Sequence, residues 1–299
     1  MSALLQPGAE AIAHKGRLRA HQWLLLRRSV QLAVLGLFLS GPLLGVWIIK
    51  GNIASSLTLD TLPLSDPFLV TQSLFAGHRP ETTLLIGAAL VAVFYFLVGG
   101  RVYCSWICPI NMITDLSAWL RQRLHIKSGL RLQRETRYWL LAMSLIAASI
   151  SGSMVWELIN PVTTVYRGLI FGMGGVWLLI MGLFLFDLFI SPRGWCSHLC
   201  PMGAFYSLAG RFTPVRISAV KREQCNDCMD CYAICPEPQV IPPALKGAPQ
   251  GRSPVITGSN CTNCGRCIDV CSKEVFRFTS RFYKSTDSSN TFKQSEVLS

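Results

Sequence analysis

Two closely spaced runs of cysteines near the C-terminal end constrain this chain more than any other feature. The first run, CNDCMDCYAICP, extends from Cys225 to Pro236, and two, two and three residues separate its cysteines. The second run, CTNCGRCIDVCS, extends from Cys261 to Ser272 with the same separations. Such short separations let one loop wrap three sulfurs around one corner of a compact metal core. We therefore expect both runs to bind metal.

The separations are typical of paired [4Fe–4S] clusters, in which three cysteines of one run bind one cluster and the fourth cysteine reaches the other. Two clusters are therefore predicted. Their ligands would be Cys225, Cys228, Cys231 and Cys271 for one cluster, and Cys261, Cys264, Cys267 and Cys235 for the other. A pair of zinc sites is the alternative, because tetrahedral thiolate also suits zinc, but two matching runs of this spacing favour iron. Ser272 stands where the pattern usually has a proline, which weakens only the local turn prediction.

The remainder of the chain is rich in apolar residues. Of the 299 residues, 51% are hydrophobic and 15% are charged, a mixture that is typical of membrane proteins. Four apolar windows are long enough to cross a bilayer as helices, namely residues 30–49, 83–100, 138–155 and 169–190. We predict an α-helical membrane protein with four transmembrane helices, arranged as a duplicated helix pair, plus a small C-terminal α+β domain.

The predicted domain boundaries follow from these patterns. A basic segment, residues 1–29, precedes the four-helix membrane domain, residues 30–212. The two cysteine runs fall in a double-cluster domain, residues 213–283. The polar tail, residues 284–299, is expected to be disordered because it has little to bury.

Basic residues predict the orientation. Lysine and arginine are concentrated before the first apolar window, between the second and third, and after the fourth. Since basic flanks are retained on the cytoplasmic side, we predict a multi-pass protein of a bacterial inner membrane with both termini cytoplasmic. The net charge of +12 then needs no nucleic acid partner. All the cysteines would face the reducing compartment, where metal binding is favoured over disulfide bonds.

A second cysteine motif occurs twice in the apolar part. CSWICP contains Cys104 and Cys108, and CSHLCP, 92 residues later, contains Cys196 and Cys200. A related turn precedes each motif, DPFLVTQSLFAG and NPVTTVYRGLIFG, which indicates an internal duplication. Cysteines four residues apart share a helix face, so a pseudo-twofold arrangement would bring all four thiols together. Three interpretations remain open: a further metal centre or other cofactor, a redox-active thiol pair, or buried thiols that only pack.

Several polar residues border the apolar windows on the side opposite the cysteines. An apolar slot with a few groups that accept protons would suit a quinol. The candidate residues are Asp66, Gln72, His78, Glu157, Asn160, Tyr166 and Arg167. The alternative is ordinary loop chemistry, because Asp-Pro and Asn-Pro are typical turn pairs.

The apolar windows, the two Cys-Ser-x-x-Cys-Pro motifs and the paired runs through Cys271 together resemble the NapH family, the membrane-bound ferredoxin-type subunits of periplasmic nitrate reductase systems. The resemblance covers nearly the whole chain and implies a bacterial-type 2[4Fe–4S] ferredoxin domain. It further implies a quinol dehydrogenase component that works with a periplasmic ferredoxin-like subunit and cytochromes to pass electrons towards nitrate reductase.

Two other functions remain open. Related membrane ferredoxins serve nitrous oxide reduction and cytochrome oxidase assembly. The alternative is therefore a membrane iron–sulfur reductase that supports metal-site assembly or maturation of a respiratory oxidase or reductase. A structural anchor, whose clusters merely stabilise the fold, is the third possibility.

Overall fold

The computed structural model of the chain describes residues 7–126, 129–130, 132–172 and 174–283. The predicted disordered tail, residues 284–299, lies outside these residues. Helices dominate the described part of the chain. They are α1 Ala9–Lys15, α2 Arg17–Ala20, α3 Gln22–Leu44, α4 Pro67–Phe75, α5 Thr82–Val98, α6 Val102–Trp106, α7 Ile110–Arg123, α8 Thr136–Ser151, α9 Val155–Ile159, α10 Pro161–Phe171, α11 Gly175–Leu185, α12 Pro201–Ala209, α13 Asp230–Ile234, α14 Pro242–Leu245 and α15 Arg266–Val270.

Short strands form two small antiparallel sheets. The strands are β1 Ile49–Gly51, β2 Ser55–Thr58, β3 Leu62–Ser65, β4 Val215–Ala219 and β5 Phe276–Ser280. β1, β2 and β3 pair in sequence order, and β4 pairs with β5. Two π-helical segments, Phe186–Ile190 and Trp195–Leu199, lie between α11 and α12.

The prediction of four transmembrane helices is wrong. Within the described ranges, one helix, α3, has both the length and the apolar composition to cross a membrane. α5 is apolar but has 17 residues, α11 with its π-helical continuation is also apolar but too short, and α8 has 16 residues. A helix of that length rises about 25 Å, which is less than the hydrocarbon core of about 30 Å.

Helix ends inside the apolar windows explain the difference. Gly152 adopts a left-handed conformation with φ of 63° and ends α8 before the third window is complete. Gly172, with φ of 65°, ends α10 inside the fourth window, and a new helix begins at Gly175. Glycine adopts these angles without the steric penalty of a side chain, and it commonly ends helices in this way. Counting apolar residues does not detect such ends.

The two related turns of the internal repeat are equivalent helix starts. Asp66 accepts the backbone N–H of Phe68 at 2.8 Å, and Asn160 accepts that of Val162 at 3.1 Å. Proline occupies the first helical position in both α4 and α10, where its missing N–H costs nothing.

Both helices pack into the same apolar cluster as the first cysteine motif. This cluster contains Phe68 of α4 and Val162 of α10 together with Tyr103 and Cys108. The short helices that follow these turns therefore pack into the core that contains the first cysteine motif.

The C-terminal part is a small α+β unit. β4 and β5 pair in the register Val215↔Ser280 to Ala219↔Phe276. The short helices α13 and α15 contain the third cysteine of each run, and a small apolar cluster that includes Ile217 lies beneath them. So small a core leaves much of the folding free energy to bound metal.

The N-terminal segment packs on the C-terminal part, which the sequence did not predict. The Gly8 N–H donates to Asp230 Oδ2 at 2.9 Å, and the Trp23 and Leu24 N–H groups donate to the Asp269 carboxylate at 3.1 and 2.9 Å. The Trp23 ring lies 4.6 Å, between centroids, from that of Phe278. These contacts hold the start of α3 against the cysteine runs.

Candidate metal centres

The structure brings together the four cysteines predicted to bind the first cluster. Cys225, Cys228, Cys231 and Cys271 line one cavity of about 360 Å³. Burial raises the pKa of Cys231 to about 12, and the neighbouring Cys228 and Cys271 thiols add to the rise. We call these four cysteines the outer set, because Cys228 is exposed at the surface.

Cys235, Cys261, Cys264 and Cys267 form a second group, the interface set. Burial raises the pKa of Cys267 well above its usual value, and Cys264, Cys235 and Cys261 each raise it further. The fourth cysteine of each run therefore lies with the first three cysteines of the other run. This exchange is what two-cluster loops require, although ligation by either set remains a prediction.

The backbone of both runs bends at equivalent positions. Two and four residues after the first cysteine, the chain adopts left-handed angles: Asp227 (56°) and Met229 (64°) in the first run, Asn263 (47°) and Gly265 (73°) in the second. Asp, Asn and Gly tolerate these angles well, whereas Met does not. Each run therefore wraps its three sulfurs inward by the same local geometry.

The four cysteines of the internal repeat also meet. Cys104, Cys108, Cys196 and Cys200, the inner set, line one cavity of about 400 Å³. Its other walls are largely apolar and aromatic. They are Tyr103, Ile110, Trp156, Asn160, Pro161, Val162, Trp195, Met202 and Gly203. The duplication thus produces one shared site rather than two separate ones.

Burial decides the protonation of the inner set. It raises the pKa of Cys200 to about 12 and raises that of Cys104, Cys108 and Cys196 as well. The four groups are therefore neutral thiols near pH 7 unless a positive centre stabilises their thiolates. Four convergent thiols that need such a centre suit a metal.

In the parts of the chain that the structure describes, no three His, Cys, Asp or Glu side chains are close enough to hold a single metal ion.

Helix α6 joins the inner set to the interface set. Helix α6, which contains Cys104, contacts the loop that begins at Cys261. Ser105 Oγ donates to the Thr262 carbonyl at 2.8 Å, and Trp106 Nε1 donates to the Asn263 carbonyl at 3.1 Å. The interface set therefore lies next to helix α6 of the inner set, and its Cys267 lies near Cys231 of the outer set.

A buried ion-pair cluster holds this contact. Glu237 is 1% exposed and accepts from Arg101 at 2.8 Å, Arg137 at 3.0 Å and Arg134 at 3.1 Å. Burial alone would raise the pKa of Glu237, but Arg101 and Arg137 outweigh it and keep the pKa below its usual value. Arg101 also donates to the Cys196 carbonyl at 3.2 Å, so it connects the ferredoxin-like part with the inner set. Sequence reasoning assigned these arginines to membrane topology alone.

The candidate quinol residues do not share one environment. Asn160 lines the cavity of the inner set. Asp66 is buried and accepts a hydrogen bond from the Tyr206 hydroxyl at 3.1 Å. The Tyr206 ring stacks on the ring of Tyr103, which lines the cavity, and the two ring centroids are 5.3 Å apart. Burial raises the pKa of Asp66 to about 6. These two residues are therefore the ones that the structure places next to the inner set.

The other five candidates have structural contacts or exposed positions. Gln72 Oε1 accepts the Trp156 N–H at 3.2 Å, and the Tyr166 hydroxyl donates to the Gly51 carbonyl at 2.9 Å. His78 and Arg167 are exposed, and Glu157 is half-buried.

Family comparisons agree with this arrangement. A family model described as "4Fe-4S binding domain" matches twice, at residues 81–127 and 173–219, so its two matches contain the two halves of the inner set. The matches begin 92 residues apart, the same offset as the duplicated cysteine motifs. A second family model, described as "4Fe-4S dicluster domain", matches residues 224–275, which contain the outer and interface sets.

Curated relatives extend over most of the chain. The chain is 48% identical over 277 residues to the ferredoxin-type protein NapH of Escherichia coli, covering 92% of this chain and 95% of that protein. It is 50% identical over 281 residues to the methylamine utilization ferredoxin-type protein MauN of Methylorubrum extorquens, covering 94% and 97%. It is 46% identical over 275 residues to NapH of Haemophilus influenzae, covering 92% and 96%.

No solved structure matches the chain. The 4Fe-4S domains and the similarity over nearly the full length indicate an iron–sulfur protein of electron transfer. The chain belongs to the family of ferredoxin-type proteins that includes NapH and MauN.

Proposed function

We propose that the chain is a membrane-bound electron-transfer subunit that takes electrons from quinol and passes them towards a periplasmic nitrate reductase. A periplasmic ferredoxin-like subunit and cytochromes are its partners. The observation that carries the relay is the succession of outer, interface and inner cysteine sets, joined by the contacts of Ser105 and Trp106.

The residues fit iron–sulfur centres in all three sets. The outer and interface sets each supply four thiols from loops with the separations that [4Fe–4S] clusters require. The inner set supplies four thiols, one buried and three partly buried, that line one pocket. Bound iron–sulfur clusters exchange single electrons without large rearrangement of the protein. We therefore assign two [4Fe–4S] clusters to the outer and interface sets and a further metal centre to the inner set.

The quinol end of the relay lies beside the inner set. Oxidation of a quinol releases two electrons and two protons, so its site needs proton acceptors near an electron acceptor. Asp66 is such an acceptor, because its pKa of about 6 lets it exchange a proton near neutral pH. Asn160, in the cavity wall, supplies a polar group that can orient a ring oxygen.

Exposed apolar surface supports membrane attachment. Large apolar side chains are exposed along α3, α5, α8 and α11, for example Leu44 (77%), Phe94 (53%), Ile150 (81%) and Leu178 (77%). Soluble proteins rarely expose apolar patches on this scale. This surface contacts lipid, and among the described residues α3 is the helix whose length suits a span.

The test is metal analysis with potentiometric electron paramagnetic resonance (EPR) on the anaerobically purified full chain. The outer and interface sets account for about eight irons, four for each cluster. We expect iron above that number in the wild type and about eight irons in the double variant Cys104→Ser, Cys196→Ser. The variant would keep both ferredoxin signals and lose a third.

Addition of reduced duroquinone to the chain with its partner subunits tests the quinol step. We expect reduction of at least one centre in the wild type and slower reduction in Asp66→Ala. Zinc, or no metal, in the wild type would refute the iron–sulfur assignment. Intact clusters that quinol never reduces would refute the quinol role and leave electron transfer in place.

A further inference from the structure

Four arginines surround a single carboxylate where the helical part meets the C-terminal part. Asp115 accepts from Arg266 at 2.6 Å, forms a short ion pair with Arg28, and lies 3.8 Å from Arg193 and 3.9 Å from Arg27. Arg27 is fully buried, Arg266 is 6% exposed, and the Asp115 side chain is 13% exposed. This arginine cluster therefore carries more positive than negative charge in a largely buried place.

Arg27 is the least satisfied member of the arginine cluster. None of its three side-chain nitrogens has a hydrogen-bond partner, although they are buried. Its distant ion pair with Asp115 is shared with three other guanidinium groups. A buried charge without hydrogen bonds is unfavourable unless another negative group compensates it.

The interface set lies within the electrostatic range of these arginines. Arg266 directly precedes Cys267 in α15, and Arg27 shares Asp115 with it. Arg193 donates to the Ile234 carbonyl at 2.9 Å, next to Cys235. On the other side, Arg101 donates to the Asn260 carbonyl at 2.9 Å, next to Cys261. Positive charge thus faces three of the four thiols.

The outer set has a different environment. Its near charged neighbours include Lys246 and Asp227, which pair with each other and are exposed to solvent. Asp230 lies on the same short helix as Cys231. The nearby charges are thus balanced or negative, and solvent screens them.

We propose that the arginine cluster, in which Arg27 is buried without a hydrogen bond, raises the reduction potential of the interface centre above that of the outer centre. The inference rests on the proposed occupation of these cysteine sets by clusters. Reduction adds negative charge, so fixed positive charge nearby stabilises the reduced state. Burial acts in the opposite direction, because it disfavours the more highly charged form. The four arginines still exceed the two nearby carboxylates, Asp115 and Asp269, by two charges, and in this proposal their effect exceeds that of burial.

An electron on this protein would then reside mainly at one of the centres. With the higher potential at the interface set, an electron that enters from either end is held most tightly beside Cys264 and Cys235. Arg27 then acts on electron transfer through the reduction potential of the interface centre. Its charge is not only a signal of membrane orientation.

An EPR-monitored potentiometric titration of the anaerobic full chain tests the inference. Arg27→Gln removes one of four cations, so Asp115 stays paired and folding should persist. We expect one of the two ferredoxin signals to shift to lower midpoint potential and the other to stay unchanged. Arg27→Lys, which retains the charge, should lie close to the wild type. Loss of one signal in Cys264→Ala identifies the interface centre.

Arg28→Gln is the matched control. Arg28 pairs with the same Asp115 but is 23% exposed and also donates to Gln31, so solvent and Gln31 weaken its effect on the interface set. Its variant should shift neither signal as far as Arg27→Gln does. If Arg27→Gln lowers the iron content, Arg193→Gln replaces it in the same titration, with the same expected shift.

Equal midpoint potentials in the wild type and the tested arginine variant, with both signals intact, would overturn the inference. So would a shift of the outer centre alone. A wild type without two cluster signals would instead refute the proposed cluster assignment, so the two failures are distinguishable.

Discussion

At the scale of single residues, Gly265 shows how closely the N-terminal segment packs on the cysteine runs. Its φ is 73°, and a Cβ atom placed there would lie 2.5 Å from Cγ of Trp23. Trp23 also contacts Trp106 of α6, with ring centroids 6.2 Å apart. One glycine therefore permits the N-terminal segment, α6 and the second run to meet.

We predict that Gly265→Ala lowers the free energy of unfolding by about 2–4 kcal/mol, because a left-handed alanine and an overpacked contact add their costs. Thermal unfolding in detergent measures this loss. Gly251→Ala is the control, since Gly251 has φ of 66° but open space around the position of a Cβ. Equal losses in both variants would mean that the Trp23 contact contributes nothing.

At the scale of elements, Glu237 holds the C-terminal part to α8 and to the start of α6. It follows Cys235 by two residues and binds three arginines that precede or begin those helices. Such buried ion pairs need not exceed a well-packed apolar contact in stability. Removal of one partner, however, leaves the others uncompensated.

We predict that Glu237→Gln costs about 3–5 kcal/mol, because Arg101 and Arg137 would remain buried with little negative charge nearby. Hydrogen exchange should increase in α6 and in residues 256–263, where the two parts meet. Asp60→Asn is the control, because the Lys50–Asp60 pair at 2.6 Å is exposed. That variant should leave exchange unchanged, and similar exchange in both variants would contradict the role of Glu237.

At the scale of the whole molecule, we expect metal binding to be coupled to assembly of the parts. The C-terminal core is small, and the cysteine loops themselves form the contact with α6 and with the N-terminal segment. Binding of metal to these loops therefore contributes to the folding of three separate stretches of chain.

We predict that removal of iron with ferricyanide and a chelator increases hydrogen exchange in residues 213–283 and 7–24 together. The helices α4 and α10, whose capped starts lie in the apolar cluster, should stay protected. Restoration of iron and sulfide should reverse the change. If protection in residues 7–24 survived iron removal, metal would not control docking of the N-terminal segment.

The cysteine sets were predictable because their information is local. The separations within each run assign Cys271 to the first set and Cys235 to the second, and the structure brings these groups together. The repeat likewise predicted that the four inner cysteines meet. The bilayer-spanning helices were not predictable from composition, since Gly152 and Gly172 end helices inside windows that are apolar throughout.

The buried contacts of the arginines were also not predicted from the sequence. Arg27, Arg101 and Arg137 look like basic flanks of apolar windows, and their distribution predicts topology. In the structure they are buried against two carboxylates and the interface set. The sequence pattern around an apolar window does not reveal these ion pairs, because Asp115 and Glu237 lie far from most of their partners in the sequence.

The sequence by itself determined which cysteines lie together, the internal duplication and the membership of an iron–sulfur family, since short separations dictate local loop geometry. Only the tertiary structure decided where the helices end. It also decided that the turns at Asp66 and Asn160 return to the inner set and that arginines lie around the interface set. The physical reason is that these features depend on long-range packing and on charges brought together from distant segments.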